Sequence, residues 1–136
     1  MTKTVLIAED EPFIVESLTF LLTKAGYRVA SYGEGQAALS AIVEQRPDLV
    51  LLDVMLPGIN GFDLLRQLRA TPGVSDMPVL ALTAKGQDAD RLRMLELGAN
   101  DFVTKPFSNK DLMTRIGQLI DGEATDGASA GTSRNG

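Results

Sequence analysis

The sequence predicts an α/β fold in which five strand and helix pairs, (βα)5, form a parallel sheet covered on both faces. Short apolar runs recur along the chain, and each is followed by a segment of helical period. Two of the runs, at Val5 to Ala8 and Leu49 to Leu52, are almost purely apolar, as strands buried on both faces must be.

The first run leads into a helix whose apolar residues Ile14, Leu18, Leu21 and Leu22 share one face. Gly26 follows, placed to take the left-handed conformation that closes a helix. The second run, Arg28 to Tyr32, is half polar and precedes a helix over Gln36 to Gln45. The third ends LVLLD and precedes a helix over Phe62 to Arg69. The fourth, Val79 to Leu82, precedes a helix over Ala89 to Leu97, closed by Gly98. The fifth, Phe102 to Thr104, is short, and its helix carries Leu112, Ile116, Leu119 and Ile120 on one face. Ser108, with Asp111 three residues on, resembles a capping box at the start of that helix.

Half-polar RVASY and short DFVT belong at the sheet edges, and the two apolar runs at its centre. The order 2-1-3-4-5 satisfies both demands and is the flavodoxin-like three-layer sandwich. Ligands bind such sheets beyond the carboxyl ends of the strands, where the order reverses between strands one and three. Residues 1–121 form this one domain; residues 122–136, rich in Gly, Ala, Ser and Thr, read as a disordered tail or a linker.

A chain of 136 residues with 44% hydrophobic content has one core and no room for a second domain. Its net charge of -5 argues against direct binding to a nucleic-acid backbone and favours cations or basic partner patches. With no cysteine and no histidine, disulfides, thiol nucleophiles, histidine-ligated zinc and a Ser-His-Asp triad are excluded. The apolar run before the first acids is too short for a signal peptide or a membrane span, which predicts cytoplasmic residence without a membrane partner.

The first apolar run ends in Glu9, Asp10 and Glu11. Glu11 reads as a first-turn residue favoured by the helix dipole. Asp53, from a distant part of the chain, ends strand three and so lies beside Asp10. Converging carboxylates repel one another unless a cation relieves them. Lys105, at the end of strand five, is one positive charge against three acids, which leaves room for a hard divalent cation with oxygen ligands, Mg2+ foremost. Thr83 ends strand four and offers a hydroxyl. Nucleophile, metal and two anion partners are the parts of phosphoryl transfer.

Residues 33–38, GEGQAA, match a GxGxxA dinucleotide fingerprint, with Asp53 about twenty residues on. The strand before them is half polar, however, and the chain has no substrate domain. No GxxxxGK motif occurs.

Taken together, VLIAEDEP, LVLLDVMLPGINGFDLL, VLALTA and NDFVTKPF resemble the receiver domain of two-component response regulators over residues 3–121. The resemblance implies that Asp53 accepts a phosphoryl group from a sensor histidine kinase, a phosphotransfer protein or a small acyl phosphate. It further implies Mg2+ held by Asp10, Asp53 and the Met55 backbone carbonyl, with Glu9 reaching it through water. Many family members have Asp where Glu9 stands, a change that leaves the charge the same. Lys105 would neutralise phosphoryl charge, Thr83 would hydrogen-bond a phosphoryl oxygen, and Phe102 would turn inward as Thr83 moves. Read from the sequence alone, Phe102 is an ordinary edge-strand hydrophobe.

A cis Lys105–Pro106 peptide is implied as well. Met55 and Lys85, two residues past Asp53 and Thr83, would flank the path of attacking water, and neither orients water as a carboxylate or amide does, so slow dephosphorylation is expected. Helix four, strand five and helix five, with Arg91, Leu95, Asp101, Asp111 and Arg115, resemble the face through which some receivers form phosphorylation-linked homodimers. Such a domain is no enzyme towards external substrates and catalyses only its own phosphorylation and dephosphorylation. A metal-dependent hydrolase and a non-phosphorylated interaction module are the competing classes. The lack of a lid segment argues against the first, and the presence of Asp53, Thr83 and Lys105 together argues against the second.

Overall fold

The computed structural model describes residues 2–84 and 86–121. The expected tail and the side chain of Lys85 lie outside these. The described residues form β1 (Thr4–Ala8), α1 (Pro12–Lys24), β2 (Arg28–Tyr32), α2 (Gly35–Gln45) and β3 (Leu49–Asp53). Then come α3 (Gly61–Arg69), β4 (Val79–Ala84), α4 (Asp88–Glu96), β5 (Asp101–Lys105) and α5 (Asn109–Asp121). All strand pairings are parallel, in the order β2-β1-β3-β4-β5. Every predicted pair is present, and β1, β3, β4 and β5 are each longer than their apolar runs. Backbone pairing carries a strand past its last apolar residue, and so Asp53, Thr83 and Lys105 lie on the strands themselves.

The central strands alternate between two cores. Leu6, Val50, Leu52, Val79 and Ala81 pack on the α2, α3 and α4 side, together with Ile42, Leu64, Leu68 and Met94. Val5, Ile7, Leu49, Leu51, Leu80 and Leu82 face α1 and α5 through Leu18, Leu22, Leu112 and Ile116. Each fully buried Leu or Ile contributes about 1.5–3 kcal/mol. The edges are polar as expected: no residue of β2 is fully buried, and only Val103 is in β5.

Gly26 and Gly98 have φ of 96° and 111° and close α1 and α4, as the sequence predicts. At α5 only half of the capping box forms: the Ser108 hydroxyl accepts from the Asp111 N–H at 3.2 Å, while the Asp111 carboxylate pairs with Arg115. Glu11 departs from expectation. Pro12 takes the first helical position, which leaves Glu11 one place earlier as the N-cap residue of α1, with no side-chain capping bond. The Lys105–Pro106 peptide is cis. No helix among the described residues is long and apolar enough to cross a membrane.

Candidate functional site

The register brings the acids together. Ala8 pairs with Leu52 and Asp53 with Leu82, so the loop after β1 meets the end of β3 in the middle of the sheet's carboxyl edge. Glu9, Asp10 and Asp53 each place a carboxylate oxygen within 4.8 Å of the others. Glu9 and Asp53 are buried and Asp10 is exposed, so the cluster opens to solvent on one side.

Lys105 reaches this cluster from β5. Its Nζ donates to Glu9 Oε1 at 2.5 Å and to Asp53 Oδ1 at 3.2 Å. Asp53 Oδ1 also accepts from the Met55 N–H at 3.2 Å, and Glu9 Oε2 from the Glu11 N–H at 2.9 Å. Burial pushes the Glu9 carboxyl above its ordinary pKa, and the charge of Asp53 adds to this against the bonds from Lys105 and Glu11. Burial alone lowers Lys105, but its bond to Glu9 and the charge of Asp53 outweigh that, and its pKa lies above the ordinary value. One firmly charged ammonium therefore faces three carboxylates, two of them buried. This oxygen-only donor set with excess negative charge fits a hard divalent cation.

Thr83 is fully buried on β4, and its hydroxyl donates to the Val103 carbonyl at 3.3 Å. Phe102, next to Val103, is half-buried against the α2, α3 and α4 core, with the Arg91 guanidinium 5.1 Å from its ring centre. Met55 is 72% exposed. The structure thus collects Glu9, Asp10, Asp53 and Lys105 in direct proximity, joined by the Met55 backbone, and sets Thr83 and Phe102 on the adjoining strands.

The GEGQAA segment is no anion site. The Glu34 carboxylate itself accepts from the Gln36 and Ala37 N–H groups at 3.2 and 3.0 Å, taking the donors a pyrophosphate would need. Its strand, β2, is an edge strand.

The sequence model of the family described as "Response regulator receiver domain" matches residues 5–117. The chain belongs to the response regulator receiver domain family. It is a phosphorylation-activated signalling module of the two-component type. It is 47% identical over 116 residues to the DNA-binding response regulator MtrA of Mycolicibacterium smegmatis, a match covering 85% of this chain and 50% of the relative. The chain therefore spans about half the length of that relative. A putative response regulator from Chloroflexus aurantiacus has a similar structure, with TM-score 0.85 and 36% identity over 88% of this chain and 98% of that one. So does the receiver domain of the sensor histidine kinase PA1611 from Pseudomonas aeruginosa, with TM-score 0.82 and 32% identity over 88% and 98% of the two chains. That crystal structure has a magnesium ion coordinated in its active site cleft.

The contacts around Glu34 leave little trace in the sequence: a glutamate between two glycines after a half-polar strand is the whole of the signal, and the weak cofactor fingerprint it belongs to points elsewhere.

Proposed function

We propose that Asp53 is the phosphoryl acceptor and that Mg2+ binds at Asp10, Asp53 and the Met55 carbonyl, with Glu9 reaching it through water. The observation that carries this is the convergence of three carboxylates within 4.8 Å beside a single lysine, at the end of a central strand. A bound divalent cation would offset charge on the phosphoryl oxygens. An Asp53 carboxylate oxygen attacks phosphorus, a new O–P bond forms, and the bond to the donor's nitrogen or oxygen breaks, its electron pair leaving with the donor. Lys105, held charged beside Asp53, pairs with a phosphoryl oxygen. The Thr83 hydroxyl gives up the Val103 carbonyl to donate to another. Phe102, on the same strand as Val103, then moves inward.

The chain has no histidine, so a phosphohistidine donor lies outside these 136 residues, on a sensor kinase or phosphotransfer protein on the cytoplasmic side. Phe13, 80% exposed, lines an apolar cleft with Ile14, Pro106 and Phe107 beside Lys105, on which a protein donor can seat. Chemistry is confined to the domain's own phosphorylation and dephosphorylation. Met55 cannot orient water, so Met55→Asn should shorten the acyl phosphate lifetime. MtrA is a DNA-binding regulator, and the same output, through a part of the protein beyond this domain, is the reading we favour.

Phosphorylation would act on that output through α4, β5 and α5, by strengthening a homodimer. The charged groups of this face already pair internally: Arg115 with Asp101 at 2.7 Å and with Asp111 at 3.1 Å, and Arg91 with Asp88. Association must exchange these pairs, which makes it conditional on a change of conformation.

The test of the acceptor is incubation with acetyl phosphate and Mg2+ followed by intact-mass measurement. One added phosphoryl group is expected, abolished by EDTA and by Asp53→Asn. Labelling of Asp53→Asn at the wild-type level refutes the assignment.

A further inference from the structure

The segment Tyr32–Gly35, which the phosphorylation chemistry leaves unused, runs between the two loops that carry the acids. On one side the Glu9 N–H donates to the Tyr32 carbonyl at 3.1 Å, and Gly33 lies against Asp10. On the other, the first turn of α2 meets three consecutive residues of the β3–α3 loop. The Gly35 N–H donates to the Pro57 carbonyl at 2.9 Å. A methyl group on Gly35 would fall onto the Ile59 carbonyl, and one on Gly58, whose φ is 77°, would fall onto the Glu34 carboxylate.

Glutamate is not among the side chains that helices favour at the N-cap, where Ser, Thr, Asp and Asn serve better. Here its extra length lets one carboxylate accept from two helix N–H groups while lying over Gly58. The tip of the loop it touches is otherwise held by Ile59, partly buried against the α2, α3 and α4 core. Val54 and Leu56 are buried, whereas Met55 is 72% exposed and is held through its backbone, its N–H donating to Asp53 Oδ1 at 3.2 Å. At the far end, Gly61 is fixed by its N–H bond to the Val54 carbonyl at 3.0 Å and by close packing on the Asp53 carbonyl.

We propose that Glu34 and Gly35 are positioning residues that hold the β3–α3 loop, and with it the Met55 carbonyl, beside Asp53, and so set the affinity of the acid cluster for a divalent cation. This rests on the cluster being the Mg2+ site. The motif that resembles a cofactor fingerprint is then a brace between the two loops of that site.

Three variants of the full chain test it. Glu34→Ser keeps a strong N-cap but loses the reach to Gly58, Glu34→Gln keeps the reach without the charge, and Gly35→Ala adds a carbon where there is no space. MgCl2 is titrated into each by calorimetry, and amide hydrogen exchange of residues 54–60 is followed in the metal-free protein. Mg2+ binding should weaken about 10-fold in Glu34→Ser and Gly35→Ala and stay near wild type in Glu34→Gln. Exchange should quicken across 54–60 in Glu34→Ser while α2 exchanges as before. Unchanged loop exchange in Glu34→Ser overturns the proposal, whatever the affinity does. Equal acceleration in α2 and the loop also overturns it, in favour of a simple helix cap. If the wild type binds no Mg2+, the cation site itself is refuted, and loop exchange alone decides whether the brace exists. Should Gly35→Ala not fold, the two Glu34 variants still decide the question.

Discussion

The two ends of the sheet treat their charged and polar side chains in opposite ways. At the amino end three of them meet backbone: Asp48 accepts from the Thr4 N–H at 2.7 Å, and Asn100 from the Val79 N–H at 2.9 Å. Arg69 donates to the carbonyls of Gly98, Ser75 and Met77 at 2.7, 3.0 and 2.8 Å, tying the α3–β4 and α4–β5 connections together. At the carboxyl end three carboxylates gather beside one lysine, which pairs with only two of them, Glu9 and Asp53. Side chains that complete the backbone's hydrogen bonds add to stability. Side chains gathered with a deficit of positive charge cost stability, and that deficit is what lets them take a ligand.

The largest effect should come from breaking the amino end. Burial holds the Arg69 pKa below the usual arginine range, so its guanidinium is partly desolvated and its bonds are worth more than surface contacts. Arg69→Met leaves three carbonyls without this donor and should cost about 3 kcal/mol in urea unfolding. Labelling by acetyl phosphate should survive wherever the variant stays folded. A loss under about 1 kcal/mol would mean that water replaces the guanidinium freely, and the contrast between the two ends would weaken.

At the carboxyl end the same measurement should change sign. In EDTA, Asp10→Asn removes one of three like charges and should stabilise the fold by about 1 kcal/mol. Saturating Mg2+ should stabilise the wild type by about 2.7 kcal/mol at 100 times Kd. That gain should be lost in Asp10→Asn. If Asp10→Asn destabilises the metal-free protein, the cluster is not charge-frustrated, and the case for a resident cation loses its physical basis.

How much of this was legible follows from what each feature depends on. All five strand and helix pairs and their order were readable, because apolar runs and helical periods are local and the polar edge strands identify themselves. Asp10, Asp53, Thr83 and Lys105 were readable as a group because each follows an apolar run that a parallel sheet aligns at one edge. The destination of a side chain was not. Lys105 lies nearer to Glu9 than to Asp53, Arg69 reaches a carbonyl far along the chain, and Arg115 turns back on Asp101. Glu11 reads as a first-turn acid until Pro12 claims that turn, and Glu34 reads as part of a fingerprint until its carboxylate is seen over Gly58. These depend on which loops approach in space, which no local pattern encodes.

The smallest effect separates a third kind of charged group from both ends. Arg115 joins β5 to α5 through Asp101 at 2.7 Å and Asp111 at 3.1 Å, but all three side chains remain partly exposed, from 26% to 52%. Its hydrogen bond to Asp101 raises its pKa, so the charge is secure, yet water competes for the same carboxylates. Unlike Arg69, it satisfies no backbone carbonyl among the described residues, and unlike Lys105 it faces no buried acid. Arg115→Ala should therefore cost at most about 1 kcal/mol, less at high salt where screening shortens the reach of exposed charges. Urea unfolding at low and high NaCl is the measurement, since guanidinium would itself screen the pair. A cost that is larger, or that ignores salt, would place Arg115 with Arg69 as a clamp of the fold. A small, salt-sensitive cost leaves this pair free to exchange partners when α4, β5 and α5 meet another molecule.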